Sequence, residues 1–267
     1  MSTMEDIQKR DKKFIEFVLN FYYKQGRHSL VWRKYITPYR ILVSEMMLQQ
    51  TQVTRVLQKF DEWIKRYPTL TSLRGATLQD ILILWKGLGY QRRAKALYEI
   101  AQSYKRLPTS FTSLCELPGI GPYTASALCA FAYDEFSHPM LETNIRTALI
   151  EEYHQGEVDI QDGLLYDDLK RLSASSLVKK AGARVWYYAL MDYGVYLKEN
   201  KISHNAKSAH YTKQSPYKGS LRELRAKVLF AITEGNKIPG ESRTEEVLGT
   251  LVKEGYITKK GEKYSVI

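Results

Sequence analysis

Residues 117–144 read LPGIGPYTASALCAFAYDEFSHPMLETN. The glycines at 119 and 121 allow positive φ and close backbone approach, so the chain can reverse tightly between one helix and the next. A helix beginning near Pro122 then offers unpaired N–H groups at the positive end of its dipole, which is a seat for a phosphate. A Gly-rich corner between two helices is also a common structural device, so the spacing by itself leaves both readings open.

Outward from this hairpin, the apolar period is helical almost throughout. Phe14, Phe17, Val18 and Phe21 mark one helix, and Ile41, Ser44, Glu45, Leu48 and Thr51 mark another after Pro38. Segments 53–66, 78–84, 91–105, 111–116, 122–133, 143–153, 164–172 and 178–197 continue the pattern. No strand-rich region precedes residue 235, so residues 1–197 are expected to form a mainly α domain. From Lys198 the texture turns polar, and residues 198–219 are expected to be a connector. Between 201 and 227, Lys201, Lys207, Lys213, Lys218, Arg222, Arg225 and Lys227 face the single acid Glu223. Such a block is either a solvated linker or a strand that tracks phosphates. Residues 220–267 read as two helices and two short strands around a Lys-Gly turn, a reduced winged-helix-like α+β module. A module of this kind can dock on DNA, contact protein or stabilise its neighbour.

The 267 residues carry 40 Lys and Arg against 29 Asp and Glu, a formal charge of +11 that suggests a polyanionic partner, nucleic acid before membrane. No apolar run is long enough to span a bilayer, and the charged MSTMEDIQKRDKKF start lacks a signal-peptide core. The expectation is a cytoplasmic, nucleoid-associated monomer. Cys115 and Cys129, the only cysteines, read as small buried apolar residues, and two thiols cannot build a four-thiolate cluster.

Read in order, VSEMMLQQTQV (43–53), LWKGLGY (84–90), LPGIGPYTA (117–125) and LETN (141–144) resemble the helix-hairpin-helix DNA glycosylases. The adenine DNA glycosylase branch is the nearest match. The resemblance covers roughly residues 10–197 and implies two helical lobes with a cleft that receives a nucleotide flipped from duplex DNA. It places Glu45 where an acid protonates the adenine ring and then helps to activate water. A solvated acid is out of keeping with neighbours Val43, Met46, Met47 and Leu48, and burial of a carboxyl favours its protonated form. It places Glu142 where a carboxylate faces the developing sugar cation. Two carboxyl groups with divergent proton affinities suit such chemistry.

By the same resemblance, Tyr123 stands where bifunctional relatives carry an imine-forming lysine, which favours a monofunctional glycosylase over a lyase. Gln50, Leu88 and Tyr90 match residues that probe the minor groove and fill the gap left by the flipped base. Asn144 would hold the catalytic carboxylate, Arg33 would line the cleft, and Asp192 would support the pocket. Gly119 and Gly121 would bring the hairpin onto the DNA backbone, where a monovalent cation can also sit.

Several departures stand out. The family pattern is Leu-Asp-Gly-Asn, whereas this chain has Leu141-Glu142-Thr143-Asn144. The extra methylene shifts the carboxylate by about an ångström, worth roughly 100-fold in rate if uncompensated. The four cluster cysteines would fall at Lys198, Asn205, Ser208 and Gln214, so no iron–sulfur cluster is expected; Lys207 and Lys213 of the connector would supply the DNA contact instead. The small module after Ser220 is not expected to substitute for the large C-terminal domain by which many adenine glycosylases recognise 8-oxoguanine. Three functions therefore compete. The first is removal of adenine mispaired with 8-oxoguanine or guanine in double-stranded DNA. The second is removal of thymine or uracil from mismatches with guanine, and the third is damage binding without catalysis.

Overall fold

A computed structural model of the chain describes residues 3–209 and 216–267. In chain order the helices are α1 (Met4–Gln25), α2 (Val31–Lys34), α3 (Pro38–Leu48), α4 (Val53–Arg66), α5 (Leu70–Arg74), α6 (Leu78–Trp85), α7 (Arg92–Ser103) and α8 (Phe111–Cys115). They continue as α9 (Pro122–Tyr133), α10 (Thr143–Tyr153), α11 (Asp162–Ser173), α12 (Ser176–Ala181), α13 (Ala183–Glu199), α14 (Leu221–Thr233) and α15 (Thr244–Lys253). A short hairpin, β1 (Ile257–Lys260) and β2 (Lys263–Val266), closes the chain. Among the described residues no helix is long and apolar enough to cross a membrane.

The helices divide into two compact units. The first takes in Met1–Ile41, Pro108–Cys115 and Ile120–Lys213. Its spine is α13, which buries Ala183, Trp186, Tyr187, Ala189 and Leu190 while α1, α9, α10 and α12 pack on it. Helix α10 approaches so closely that a Cβ at Gly194 would lie 2.1 Å from the Asn144 carbonyl oxygen, which only glycine tolerates. The single helix expected over 178–197 is instead α12 and α13. Gly182 breaks it with φ 88° and ψ 159°, and the Asp134 carboxylate accepts from Arg184 N at 2.8 Å to cap the new start. A polar cluster ties α1 to α11, with Arg171 donating to Asp11 (2.8 Å) and Asp168 (2.5 Å).

The region expected to be a connector starts as the last turn of α13. It then lies against this unit: Ile160 N donates to Lys207 O, Ala209 N donates to Ile160 O, and His204 Nε2 donates to Glu151 at 2.5 Å. Polar composition concealed this docking, because backbone and ion-pair bonds hold it rather than an apolar face. Lys213 lies outside the described residues. Cys129 is buried as expected, but Cys115 is only half-buried.

The second unit takes in Leu42–Leu107, Glu116–Gly119 and Gln214–Ile267. Trp63 and Trp85, both fully buried, meet edge to face at 5.6 Å, and α6 packs against α4, α7 and α14. The C-terminal module belongs to this unit, so the division at 197 and 220 does not coincide with the compact bodies. Gln79 Nε2 donates to Thr233 O at 2.7 Å, Lys86 pairs with Glu234, and the buried Tyr256 ring lies under Lys95 and Arg225. Strands β1 and β2 pair antiparallel from Ile257↔Val266 to Lys260↔Lys263, so Gly261 and Glu262 form the turn.

Candidate active site

In the first unit, Glu142 is the N-cap of α10. Its Oε1 accepts from Asn144 N and Ile145 N, each at 2.8 Å, while Oε2 accepts from Asn144 Nδ2 at 2.9 Å and Thr143 Oγ1 at 3.2 Å. Four donors thus fix both oxygens of the side chain at the positive end of the helix dipole. The longer side chain therefore folds back onto its own helix, as an aspartate cap does. Asn144 donates to the Glu142 carboxylate from both backbone and side chain, and it is fixed in turn: Lys198 Nζ donates to Asn144 Oδ1 at 2.7 Å and Thr143 Oγ1 at 3.3 Å. Burial pulls the Lys198 ammonium below the usual lysine range, against the opposing charge of Glu142. The close approach at Gly194, one turn before Lys198, makes the contact possible.

Arg33 does not line an open pocket. Its side chain is 4% exposed; Nη1 and Nη2 donate to Asp192 at 2.7 and 2.9 Å, and the guanidinium lies 4.0 Å from the Tyr188 ring centroid. Asp192 also accepts from Arg27 N at 2.8 Å and Arg27 Nε at 2.6 Å. Both terminal nitrogens of the fork are taken by this carboxylate, so the pair braces α2 against α13.

In the second unit, Glu45 is 6% exposed on α3 beside the fully buried Leu42, Val43, Met46 and Met47. The helix ends at Leu48, and Gln50 just beyond it is exposed and has φ 56°; Tyr90, half-buried, has φ 45°. Positive φ at non-glycine residues costs energy and persists where the surroundings impose it. Here the surrounding group is Arg93. Its Nη1 donates to the carbonyls of Met46 (2.6 Å), Met47 (3.1 Å) and Gln49 (2.7 Å), and its Nη2 donates to those of Leu88 (2.8 Å) and Gly89 (3.0 Å). One buried cation thus joins the end of the Glu45 helix to the 87–90 turn. Burial pulls its guanidinium down to about 10, which leaves it protonated near neutral pH. Arg93 was detectable in the sequence only as a charge on the apolar stripe of Leu97 and Ile100.

Replacing Arg93 with methionine is expected to cost about 2–3 kcal/mol, because several buried carbonyls lose their donor. Urea unfolding measures this, and an unchanged midpoint would show that the clamp is dispensable. Leu88 departs from expectation: it is 4% exposed, so its side chain belongs to the interior of the turn rather than to a surface wedge.

At the hairpin, Gly119 has φ 70°, and a Cβ there would come 2.8 Å from Ala96 Cβ. Gly121 meets nothing within 4 Å; it is the exposed N-cap of α9, a helix with no side-chain cap. One glycine is thus required by the fold, and the other leaves open space before the first turn of a helix. Tyr123 is half-buried in that turn. Lys207 Nζ donates to Gln155 O at 2.5 Å and so is engaged within the protein. Among the described residues no cluster of three His, Cys, Asp or Glu side chains could hold a metal ion.

These features, a mainly helical chain with a Gly-rich hairpin, a buried carboxyl on α3 and a capping carboxyl at the start of α10, have a known setting. The chain belongs to the HhH-GPD superfamily of base excision DNA repair proteins, whose family model matches residues 43–218. It is 41% identical over 145 residues to the adenine DNA glycosylase of Buchnera aphidicola subsp. Schizaphis graminum, covering 52% of this chain and 42% of that relative. It is 37% identical over 178 residues to the adenine DNA glycosylase of Mycolicibacterium smegmatis, covering 61% of this chain and 60% of the relative. The chain therefore spans less than two thirds of the length of either. Among solved structures, a thermostable thymine-DNA glycosylase superposes with TM-score 0.61 at 22% identity, covering 75% of this chain and 93% of that one. Endonuclease III in a non-covalent DNA complex superposes with TM-score 0.56 at 15% identity, covering 84% and 94%. Both share the helix-hairpin-helix fold.

Proposed function

We propose that the chain is a monofunctional DNA glycosylase that hydrolyses the N-glycosidic bond of adenine mispaired with 8-oxoguanine or guanine, after the nucleotide is flipped from the duplex. The observation that carries this reading is the Glu142 carboxylate, fixed by four donors at the start of α10. A fixed anion of this kind stabilises the oxocarbenium character of the sugar. The buried Glu45 supplies the proton for the departing base: the C1′–N9 bond breaks, its electron pair leaves with adenine, and water adds to C1′ and gives its proton back to the Glu45 carboxylate. Tyr123 has no amine to form an imine, which supports hydrolysis over lyase chemistry.

The chain acts in this reading as a monomer at the nucleoid, without an iron–sulfur cluster. In support, Lys198 is engaged with Asn144, and Ser208 forms a backbone bridge with Ile160. Uncapped α9 and Gly121 meet a phosphate, with a monovalent cation at the same turn.

The test is strand cleavage after alkali on duplexes carrying 8-oxoguanine·A, G·A, G·T or G·U. Cutting at A is expected. Cutting only at T or U would replace the reading with a mismatch pyrimidine glycosylase, and a gel shift without cutting would replace it with a damage binder.

A further inference from the structure

Three arginines from three helices converge on residues 87–90. Arg55 of α4 donates from Nη1 to Gly87 O at 3.4 Å, Arg92 of α7 lies 5.7 Å from the Tyr90 ring centroid, and Arg222 of α14 donates from Nη1 to the Tyr90 hydroxyl at 3.0 Å. Arg55 and Arg92 are exposed and make no ion pair with any described residue. Elsewhere in this unit, exposed cations are commonly paired: Arg66 with Asp80, Lys86 with Glu234 and Arg243 with Glu246. Like charges drawn to one turn raise the local positive potential, which an arriving anion would lower. Phosphodiesters fit arginine forks.

We propose that the C-terminal module is a DNA-contacting element, with Arg222 completing an arginine cluster around the 87–90 turn that binds the sugar–phosphate backbone. The module is seated for this task. Its helix α14 is fixed on α6 through Gln79 and Lys86, so Arg222 is carried on a rigid element rather than a tether. The hydroxyl of Tyr90 aligns the guanidinium, which makes the strained turn and the module one surface. The proposal rests on the DNA glycosylase reading for its partner and extends it to a segment that had no role there.

The experiment measures affinity for a G·A-mispaired duplex and a matched duplex across a salt series, for the full chain and for Arg222→Gln, Arg222→Lys and Tyr90→Phe. Each lost phosphate contact lowers the slope of log K against log salt by about 1 and weakens both duplexes alike. Arg222→Gln is expected to show that loss, about 3- to 10-fold in affinity at moderate salt. Arg222→Lys, which keeps the charge, and Tyr90→Phe, which removes only the aligning hydroxyl, are expected to keep the slope. Arg222→Gln with an unchanged slope, while the wild type binds duplex, overturns this proposal and leaves the glycosylase reading intact. A slope lost equally in Tyr90→Phe would make Arg222 a brace of the turn and also overturns it. Absence of duplex binding by the wild type overturns both.

Discussion

Glu45→Gln is expected to lower single-turnover excision of adenine by about 10²–10⁴-fold, the range for loss of a general acid. Glutamine keeps the volume and the hydrogen-bonding outline of the side chain but cannot release a proton to the ring. The site is 6% exposed, so bulk water is poorly placed to substitute. Stability should not fall with activity, since a neutral amide is easier to bury than an ionisable group. Duplex affinity should also survive, because the basic cluster at 87–90 and the hairpin lie elsewhere in the chain. Single-turnover rates with excess enzyme, a gel shift and a thermal melt together isolate the chemical step. Retained turnover in a folded variant would remove Glu45 from the role of acid, and the proton would then have to come from another group.

Local punctuation made much of the helical frame legible before any coordinates. Helices α4, α9 and α10 end where they were read, at Arg66, Tyr133 and Tyr153, because Tyr-Pro, an acidic stretch and a polar turn stop the apolar period there. The break at Gly182 escaped because helical spacing continues on both sides of it; its cause, the Asp134 cap, is 50 residues from Arg184 in sequence. Helices α2 and α5 are too short for a period to declare itself.

The site shows the same division. Residue types and order pointed to Glu45, Glu142 and Asn144, but not to what holds them. Arg93, Lys198 and Gly194 act through backbone carbonyls and close helix contact, which leave little mark on composition. The extra methylene of Glu142 predicts a displacement of the carboxylate, and the structure adds that this longer side chain caps its own helix. Arg33 is the converse case. A cation in a matching position reads as ligand-binding until its partner appears across 159 residues of sequence.

That partner defines the largest expected loss of stability. Asp192→Ala should cost about 3–5 kcal/mol near neutral pH, since it leaves the Arg33 guanidinium buried without its counter-charge. The cost lies in the stranded cation rather than in the bond itself, so joint replacement by Arg33→Met and Asp192→Leu should recover much of it. Acid supplies an independent check. Burial pushes the Asp192 carboxyl up, but hydrogen bonds and charge from Arg33, aided by Arg27, outweigh it and hold the group below the usual aspartate range. A carboxyl lowered on folding stabilises the protein above the unfolded-chain value of about 3.9, and that contribution is lost as pH falls through the folded value. The gap between wild type and Asp192→Ala should therefore be full at pH 7 and narrow below about pH 4, where both chains unfold more readily. Urea midpoints measured from neutral to acid pH for the wild type, the single variant and the double variant test each step. A single variant within about 1 kcal/mol of wild type at pH 7 would show that water reaches Arg33 and relieves its charge. An undiminished gap in acid would place the stabilisation in packing around Tyr188 rather than in the ion pair.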